Sequence, residues 1–254
     1  MNALLTVRGL SRSFGGVAAV QGVDLEVQEG TIRAVIGPNG AGKTTLLDLV
    51  TGFTKPDEGT VDFAGHQLVG RSPRDLPSLG LMRTFQSARL VPMLTVRQNV
   101  MLGAYRFTRA RFLSDALRLP RTRREERELG ARADDLIDFL ELTRFADSPA
   151  TDLPAGAQRL VEVARGLAGA PRLLLLDEPA AGLDDSETRE LADALHAVRD
   201  GGVSMVLIEH NMSLVLAISD QVTVMDAGKV IADDIPGAVR ENAAVRKAYL
   251  GVAS

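Results

Sequence analysis

The segment Gly37–Thr45, with the sequence GPNGAGKTT, places glycines, a lysine and two threonines at a spacing that suits phosphate binding. It matches the pattern G-x-x-x-x-G-K-[S/T] and lies between an apolar run and a stretch with helical spacing, which is the setting this pattern needs. The glycines let the backbone wrap around an anion, and the amino end of the following helix adds positive potential. Lys43 can reach the β- and γ-phosphates of a nucleotide, and Thr44 can offer its hydroxyl to Mg²⁺. The alternative is a glycine-rich turn without a ligand.

Two adjacent carboxylates, Asp177 and Glu178, follow the apolar run RLLLL at the end of a predicted strand. In enzymes with a phosphate loop, an aspartate at such a position holds Mg²⁺, usually through water. The neighbouring glutamate can then polarise a water in line with the γ-phosphate. By themselves the two residues could equally be part of a turn, but the phosphate loop favours the functional interpretation.

Two further polar residues gain meaning only from their surroundings. His210 closes the apolar run VSMVLIE, and ligands gather at the carboxyl ends of strands in open parallel sheets. A lone histidine is nevertheless more often structural than catalytic. Gln86, in the sequence RTFQ, indicates little when it is taken alone.

The hydrophobic pattern predicts the elements that position these residues. Alternating apolar and polar residues near the amino terminus predict half-buried strands, and short apolar runs before the candidate residues predict a parallel sheet. An Asp-Ala-Gly-Lys turn predicts a hairpin over residues 221–234. Apolar spacing of three and four residues predicts helices. Beyond the one after the phosphate loop, they cover residues 94–107, 123–142, 158–169, 186–200 and 238–251.

Composition excludes several classes of protein. The 254 residues include no cysteine, which excludes a disulfide framework and a thiolate metal site. They include only three histidines, His66, His196 and His210, which argues against a multi-histidine metal site. A net charge of −4 argues against a nucleic-acid partner. The arginine-rich stretch 118–132 is interpreted as a solvated helix with Glu–Arg pairs. Without a signal peptide or a membrane-spanning run, a cytoplasmic protein is expected.

Taken together and in this order, the motifs resemble the nucleotide-binding subunit of ATP-binding cassette (ABC) transporters. The set comprises the phosphate loop, Gln86, a signature segment at 153–158, the acidic pair, the AGLD sequence that ends at Asp184, and His210. The resemblance implies an α/β P-loop NTPase fold with a RecA-like core, an N-terminal antiparallel β-subdomain and an inserted helical subdomain.

The same resemblance implies how the chain is divided. Residues 1–254 would form a single ABC ATPase domain. Residues 1–86 would contain the β-subdomain and the start of the core, 87–166 the helical subdomain with the signature segment, and 167–254 the rest of the core and a C-terminal helix. Two such domains would pair head to tail and enclose two ATP molecules.

Roles carry over by position. Phe14 would stack on adenine, Glu178 would be the general base, His210 would contact the γ-phosphate as a switch, and Asp184 would contact the partner cassette. The residues implied in ATP binding are Phe14, Gly37, Pro38, Asn39, Gly40, Ala41, Gly42, Lys43, Thr44, Thr45 and Gln86. The residues implied in holding Mg²⁺ are Thr44, Gln86 and Asp177.

The signature segment departs from the family pattern, a Ser-Gly-Gly-Gln core. Pro154, Ala155 and Ala157 replace three of those positions, and only Gly156 remains. The residues implied to face the ATP of the partner are Leu153, Pro154, Ala155, Gly156, Ala157 and Gln158. Pro154 cannot donate a hydrogen bond, yet the segment still leads into a helix whose amino end offers free N–H groups. We therefore expect a weakened but working ATPase.

Longer stretches are similar to one ATPase subunit of branched-chain amino acid importers, a group whose relatives include amide and urea importers. They include TGFTKPDEGTV, GLMRTFQSARLVPMLTVRQNV, VLIEHNMSLVLAISDQVTVMDAGKVIADD and VRKAYLG. In that subfamily a proline or alanine in the signature is familiar, whereas Ala157 is the larger departure. The implied partners are a second ABC ATPase subunit, two integral membrane permease subunits and a separate solute-binding protein. The implied location is peripheral, on the inner face of the plasma membrane.

Two rival interpretations remain. A soluble cassette ATPase of translation would usually carry two cassettes in one chain, and one of DNA repair would place a long coiled coil between Lys43 and Asp177. A nucleotide kinase would need neither the signature segment nor Gln86 and His210. Purification together with integral membrane subunits would separate these interpretations from a transport motor.

Overall fold

The computed structural model describes residues 3–84, 90–104 and 120–250. The chain divides into two compact units. The first contains residues 1–86, 172–181 and 195–254, and the second contains residues 87–171 and 182–194. The first unit contains the two sheets, and the second is helical.

The main sheet of the first unit has six strands in the order β10-β9-β3-β8-β7-β6. Its strands are β3 (Ile32–Ile36), β6 (Leu81–Arg83), β7 (Leu173–Asp177), β8 (Ser204–Ile208), β9 (Gln221–Asp226) and β10 (Lys229–Asp234). All neighbours pair in parallel except β9 and β10, which form the predicted hairpin. Because β3, β8 and β7 are adjacent and parallel, their carboxyl ends lie side by side at one edge of the sheet.

An antiparallel sheet of four strands, in the order β2-β1-β4-β5, forms the rest of the β-structure. Its strands are β1 (Ala3–Phe14), β2 (Val17–Gln28), β4 (Glu58–Phe63) and β5 (His66–Gln67). One buried core joins this sheet, the main sheet and helix α1 (Lys43–Val50), and it includes Leu5, Leu46, Phe63 and Leu175. The short helix α2 (Leu76–Leu79) precedes β6.

The other face of the main sheet is covered by C-terminal helices. They are α7 (Met212–Ile218), α8 (Pro236–Glu241) and α9 (Ala243–Leu250). Residues Ile36, Val224 and Val245 belong to a second buried cluster on this face. Sheet and helices therefore form the layered α/β arrangement predicted from the sequence.

The C-terminal prediction of one continuous helix over 238–251 was wrong within the described part. The chain leaves the helical conformation at Asn242, where ψ is 124°, and two short helices result. The Asn242 side chain accepts a hydrogen bond from the N–H of Ala244 at 2.9 Å. An asparagine that caps a helix start in this way competes with continuation of the preceding helix.

The second unit is built from helices α3 (Val96–Gly103), α4 (Pro120–Phe139) and α5 (Ala155–Ala168), together with the first part of α6 (Asp185–Asp200). A capping box between Thr95 and Gln98 begins α3. At the end of α3, a β-carbon on Gly103 would lie 1.8 Å from the backbone oxygen of Arg165. Glycine is therefore required there, since any side chain would force α3 and α5 apart.

Candidate functional site

The phosphate loop connects β3 to α1 and needs glycine at both of its ends. Gly37 has φ of +149°, and a β-carbon there would lie 2.1 Å from the carbonyl oxygen of Met225. Gly42, which precedes α1 with φ of +97°, would place a β-carbon 2.2 Å from the carbonyl oxygen of Ala19. Both glycines combine a left-handed conformation with a close backbone contact, so no other residue fits. The loop is thus held between β9 and β2.

The Lys43 side chain is folded back onto this loop. Its Nζ donates to the carbonyl oxygens of Gly37 at 2.7 Å and Pro38 at 3.1 Å. Burial lowers the pKa of Lys43, while the nearby charges of Glu178 and Asp177 oppose that shift. The lysine is therefore a buried amino group at the amino end of α1, where the helix adds positive potential for a phosphate.

Asp177 ends β7 and is buried. Its Oδ2 accepts a hydrogen bond from Arg83 at 3.0 Å, and Arg83 also pairs with Asp48 at 2.5 Å. Burial raises the pKa of Asp177, the Arg83 charge opposes the shift, and the charges of Glu178 and Asp48 add to it. The other oxygen, Oδ1, is buried without a hydrogen-bond partner, which is the state expected of an atom that coordinates a bound ion or accepts a hydrogen bond from its water.

Glu178 follows in a conformation rare for a residue with a side chain. Its φ is +49°, and its N–H donates to the carbonyl oxygen of Ile208 at 2.9 Å. Oε1 of Glu178 lies 3.8 Å from Nδ1 of His210, and the His210 side chain is more than half exposed. Strained backbone of this kind is tolerated where it fixes a functional side chain, and it costs about 1–3 kcal/mol. The strand end thus directs Glu178 and His210 toward the same space.

Glu209 holds these two strand ends in place, a role that the sequence analysis missed. The residue is fully buried. Oε1 accepts from the N–H of Ala180 at 2.8 Å, and Oε2 accepts from those of His210 at 2.9 Å and Asn211 at 3.1 Å. One carboxylate therefore ties the loop after Glu178 to the loop that carries His210. The only available signal was its position next to His210 at the end of an apolar run.

The phosphate loop and Glu178 line an open cavity of about 210 Å³ in the first unit. Its lining consists of Ala19, Asn39, Gly40, Ala41, Gly42, Lys43, Thr44, Thr45 and Glu178. The cavity is thus lined by the backbone of the phosphate loop, by Lys43 and two threonines, and by the carboxylate of Glu178. This arrangement can bind a polyphosphate and hold a proton acceptor next to its end.

The structure describes most of the remaining sequence candidates. Phe14 ends β1, is 47% exposed, and lies with its ring centroid 4.9 Å from the guanidinium carbon of Arg12. Arg12 thus covers part of the ring, and the exposed remainder is accessible for stacking. Gln86 lies outside the described residues. Gly37 and Ala41 are buried, whereas Asn39, Gly40 and Thr44 are exposed.

The signature segment lies in the second unit, at the start of α5. Pro154 occupies the position before the helix and makes no side-chain cap. Ala155 and Ala157 offer only backbone groups, while Gln158 donates to the carbonyl oxygen of Leu153 at 2.8 Å. The N–H of Gly156 donates to Oε1 of Glu187 at 2.9 Å. The helix is therefore capped, but by a residue that is distant in sequence.

Asp184 has an identifiable local role at the start of α6. Its Oδ1 accepts from the N–H groups of Ser186 at 2.7 Å and Glu187 at 2.9 Å. This is the contact pattern of a helix N-cap. The carboxylate is exposed, so the same residue also remains available to a partner.

No group of three or more histidine, aspartate or glutamate side chains within the described ranges could hold a metal ion. Across residues 3–84, 90–104 and 120–250, no helix is long and apolar enough to cross a membrane.

Two family models match the chain. The family model described as ABC transporter matches residues 20–181, and the one described as branched-chain amino acid ATP-binding cassette transporter matches residues 229–254. The high-affinity branched-chain amino acid transport ATP-binding protein BraF of Pseudomonas aeruginosa is 41% identical over 251 residues, 98% of each chain. LivG of Escherichia coli K12, with the same description, is 39% identical over 98% of each chain.

A solved structure shares the fold over nearly the whole chain. It is the ADP conformation of MJ1267, an ATP-binding cassette of an ABC transporter. The TM-score is 0.87 at 29% identity, and the match covers 99% of this chain and 100% of that chain.

Proposed function

The chain belongs to the ABC transporter family, and we propose that it is the ATP-binding and ATP-hydrolysing subunit of an importer for branched-chain amino acids or related small solutes such as amides and urea. The second family model and the transport names of both relatives support this over a soluble ABC ATPase. The observation that carries the proposal is the cavity in which the phosphate loop faces Glu178.

In this proposal the cavity receives the phosphates of ATP. The backbone N–H groups of residues 39–45 surround the β- and γ-phosphates, and Lys43 leaves the carbonyl oxygens of Gly37 and Pro38 to bind them. The exchange is favourable because a phosphate is a stronger acceptor for a cation than a neutral carbonyl. Adenine would stack on the exposed ring of Phe14. Gln86, which follows β6 in the sequence, would complete the ATP site.

Mg²⁺ fits the residues present, because the Thr44 hydroxyl lines the cavity and Oδ1 of Asp177 is a buried acceptor without a partner. Thr44, Asp177 and Gln86 would hold the ion, which would neutralise phosphate charge. Arg83 keeps the Asp177 carboxylate oriented through its pair with Oδ2.

Hydrolysis needs a proton acceptor that can reach a water at the γ-phosphate. Glu178 is that acceptor in our proposal, because it lines the cavity and its strained backbone fixes the side chain. His210 lies beside it and would contact the γ-phosphate. The buried carboxylate of Glu209 ties together the two loops that carry these side chains.

The second half of each ATP site would come from the signature segment of a partner cassette in a head-to-tail dimer. The partner would be either a copy of this chain or a second ABC ATPase subunit. Without a serine at position 154 the segment lacks a hydrogen bond to the γ-phosphate, which in such cases contributes about 1.5–3 kcal/mol. The backbone at Gly156 and the amino end of α5 remain. We therefore expect a weaker ATP-bound dimer that still hydrolyses ATP.

The permease would dock on the loop before α3. Val91 is 38% exposed and Met93 is 91% exposed, whereas Leu90 is buried in the second unit. Buried Asn99 fixes the loop, since its side chain accepts from the N–H of Val91 at 2.8 Å and donates to the carbonyl oxygen of Leu94 at 3.1 Å. A fixed loop with apolar side chains directed outward suits a short helix of a membrane subunit.

In this assembly the chain would lie on the inner face of the plasma membrane, and solute choice would belong to the two permease subunits and a separate binding protein. The proposal is tested by purifying the chain together with candidate permease subunits and measuring ATP hydrolysis. Lys43→Ala should lose nucleotide affinity in a binding titration, whereas Lys55→Ala removes an exposed lysine and should not. Absence of ATP binding by the unmodified chain would overturn the proposal.

A further inference from the structure

One carboxylate of the second unit bonds to two helix starts. Oε1 of Glu187 accepts from the N–H of Gly156 in the first turn of α5 at 2.9 Å. Oε2 accepts from the N–H of Asp184 at 3.2 Å, and Oδ1 of Asp184 accepts in return from the N–H of Glu187 at 2.9 Å. Asp184 and Glu187 thus form a reciprocal capping box at the start of α6, and Glu187 also caps α5.

The start of α5 needs an acceptor from elsewhere. The first N–H groups of a helix have no partner within it, and a side-chain oxygen at the position before the helix normally serves them. Pro154 stands at that position and has no side-chain acceptor. A carboxylate is the strongest substitute, since it also interacts favourably with the positive end of the helix.

The contact is close as well as hydrogen-bonded. A β-carbon on Gly156 would lie 3.0 Å from Cγ, 3.1 Å from Cβ and 3.2 Å from Cδ of Glu187. Glycine at position 156 therefore lets the Glu187 side chain pack directly on the backbone of α5. The Gly156 N–H is occupied by an anion of the same chain.

Under the proposed function, on which this step rests, that N–H faces the γ-phosphate of the partner's ATP. We propose that Glu187 is a positioning residue of the signature site. Its carboxylate replaces the side-chain cap missing at Pro154, and it occupies the Gly156 N–H until the γ-phosphate displaces it. The γ-phosphate thus takes the place of the Glu187 carboxylate on the N–H of Gly156. This carboxylate stabilises the chain when no partner is bound, but ATP must displace it, so ATP-driven closure is less favourable than it would be without Glu187.

This exchange predicts effects of opposite sign on stability and on ATP closure. Glu187→Gln keeps the shape of the side chain and removes its charge. The cap becomes weaker, so the melting temperature of the free chain should fall. The competitor at the Gly156 N–H also becomes weaker, so ATP closure should become easier. A side chain that only supports the fold would weaken both properties together.

The closure test uses the assembled transporter carrying Glu178→Gln, in which ATP is bound but hydrolysed slowly. Adding Glu187→Gln should lower the ATP concentration for half-maximal trapping by about three- to tenfold, the difference between a charged and a neutral acceptor. Glu190→Gln, on the exposed side of the same helix, removes the same charge and should change neither trapping nor melting. An unchanged or raised ATP concentration for half-maximal trapping would show that Glu187 does not compete with the γ-phosphate for the N–H of Gly156.

The capping role is tested without nucleotide by a double-mutant cycle on the free chain. Pro154→Ser restores a side-chain acceptor before α5, so Glu187→Ala should lower the melting temperature less in that background than in the original chain. Equal losses in both backgrounds would show that Glu187 does not replace the missing cap. If the assembled complex traps no ATP at all, the proposed function and the competition fail together, while the cycle still decides the capping role.

Discussion

The Nδ1 atom of His210 lies 3.8 Å from Oε1 of Glu178, with Glu178 beside the phosphate loop. Glu178→Gln keeps the shape of the side chain and removes the proton acceptor. We expect kcat for ATP to fall by about a hundredfold or more, while ATP binding is retained and an ATP-bound dimer accumulates. Steady-state kinetics of the assembled transporter measure the fall in kcat. Light scattering of the purified chain with ATP measures the accumulation of the dimer. Turnover close to that of the unmodified complex would show that another group accepts the proton.

The bonds that Glu209 makes to the loops after β7 and β8 predict a kinetic effect. Glu209→Gln preserves one acceptor oxygen but turns N–H groups of the amide toward one of the two loops. The catalytic side chains should then lose their mutual position, and kcat should fall by about ten- to hundredfold with little change in KM for ATP. Glu58→Gln, an exposed glutamate of β4, is the matched control. A parallel rise in KM would instead indicate that the phosphate loop had been disturbed.

The raised pKa of Asp177 predicts a pH dependence of stability. An unfolded aspartate titrates near its ordinary pKa of about 3.9, whereas the buried group in the folded chain releases its proton at a higher pH. Between those two values the folded state holds more protons, so the contribution of Asp177 to stability falls as pH rises. Thermal melts of the free chain across that window, compared with Asp177→Asn, isolate this slope. A difference between the two proteins that does not change with pH would contradict the expectation.

The altered signature predicts contrasting effects of two substitutions. Pro154→Ser restores a hydroxyl and should be tolerated, with equal or tighter ATP-driven pairing. Gly156→Asp should be severely damaging, because the new side chain would meet the carboxylate of Glu187 with bulk and like charge. Gly130→Asp provides the control, since a β-carbon at Gly130 meets no atom within 4 Å. If both signature variants hydrolysed ATP normally in the assembled complex, segment 153–158 would not contact the nucleotide.

The exposed loop before α3 predicts where the permease is contacted. The chain has no native cysteine, so a single cysteine at Pro92, which is exposed, gives a clean cross-linking site. We expect links to a permease subunit that change when ATP is added. A cysteine at exposed Ala243, on α9, should give none. Links confined to the ATPase in a complete and active complex would place the coupling surface elsewhere.

Local sequence predicted the parts of the site whose chemistry lies in consecutive residues. The phosphate loop needs glycines at set positions because its backbone is folded against neighbouring strands, and the pair Asp177–Glu178 follows directly from a strand end. Glu209 and Glu187 could not be found in this way. Their partners Ala180 and Gly156 are 29 and 31 residues away, and only the folded chain brings the atoms together.

The fold was predictable to a similar extent. Alternating apolar and polar residues predicted the antiparallel sheet, because its strands are buried on one face. Continuous apolar runs predicted the parallel sheet, because its strands are buried on both faces. The same reasoning failed at Asn242, because the apolar spacing continues across the break and the cap that produces it is a single side chain. The three-residue strand β6, paired with β7, was too short to leave a pattern of its own.

The contact between Gly103 and the backbone of Arg165 has a mechanical consequence. Because α3 and α5 touch there without an intervening side chain, their backbones pack directly on each other, and movement of one helix toward the other meets immediate steric resistance. The loop that carries Val91 and Met93 adjoins the first turn of α3, and the segment around Gly156 forms the first turn of α5. We therefore expect that a displacement of that loop would move α3 and, through the contact at Gly103, tilt α5 together with the segment around Gly156. Helix α5 is about 20 Å long, the length of fourteen helical residues.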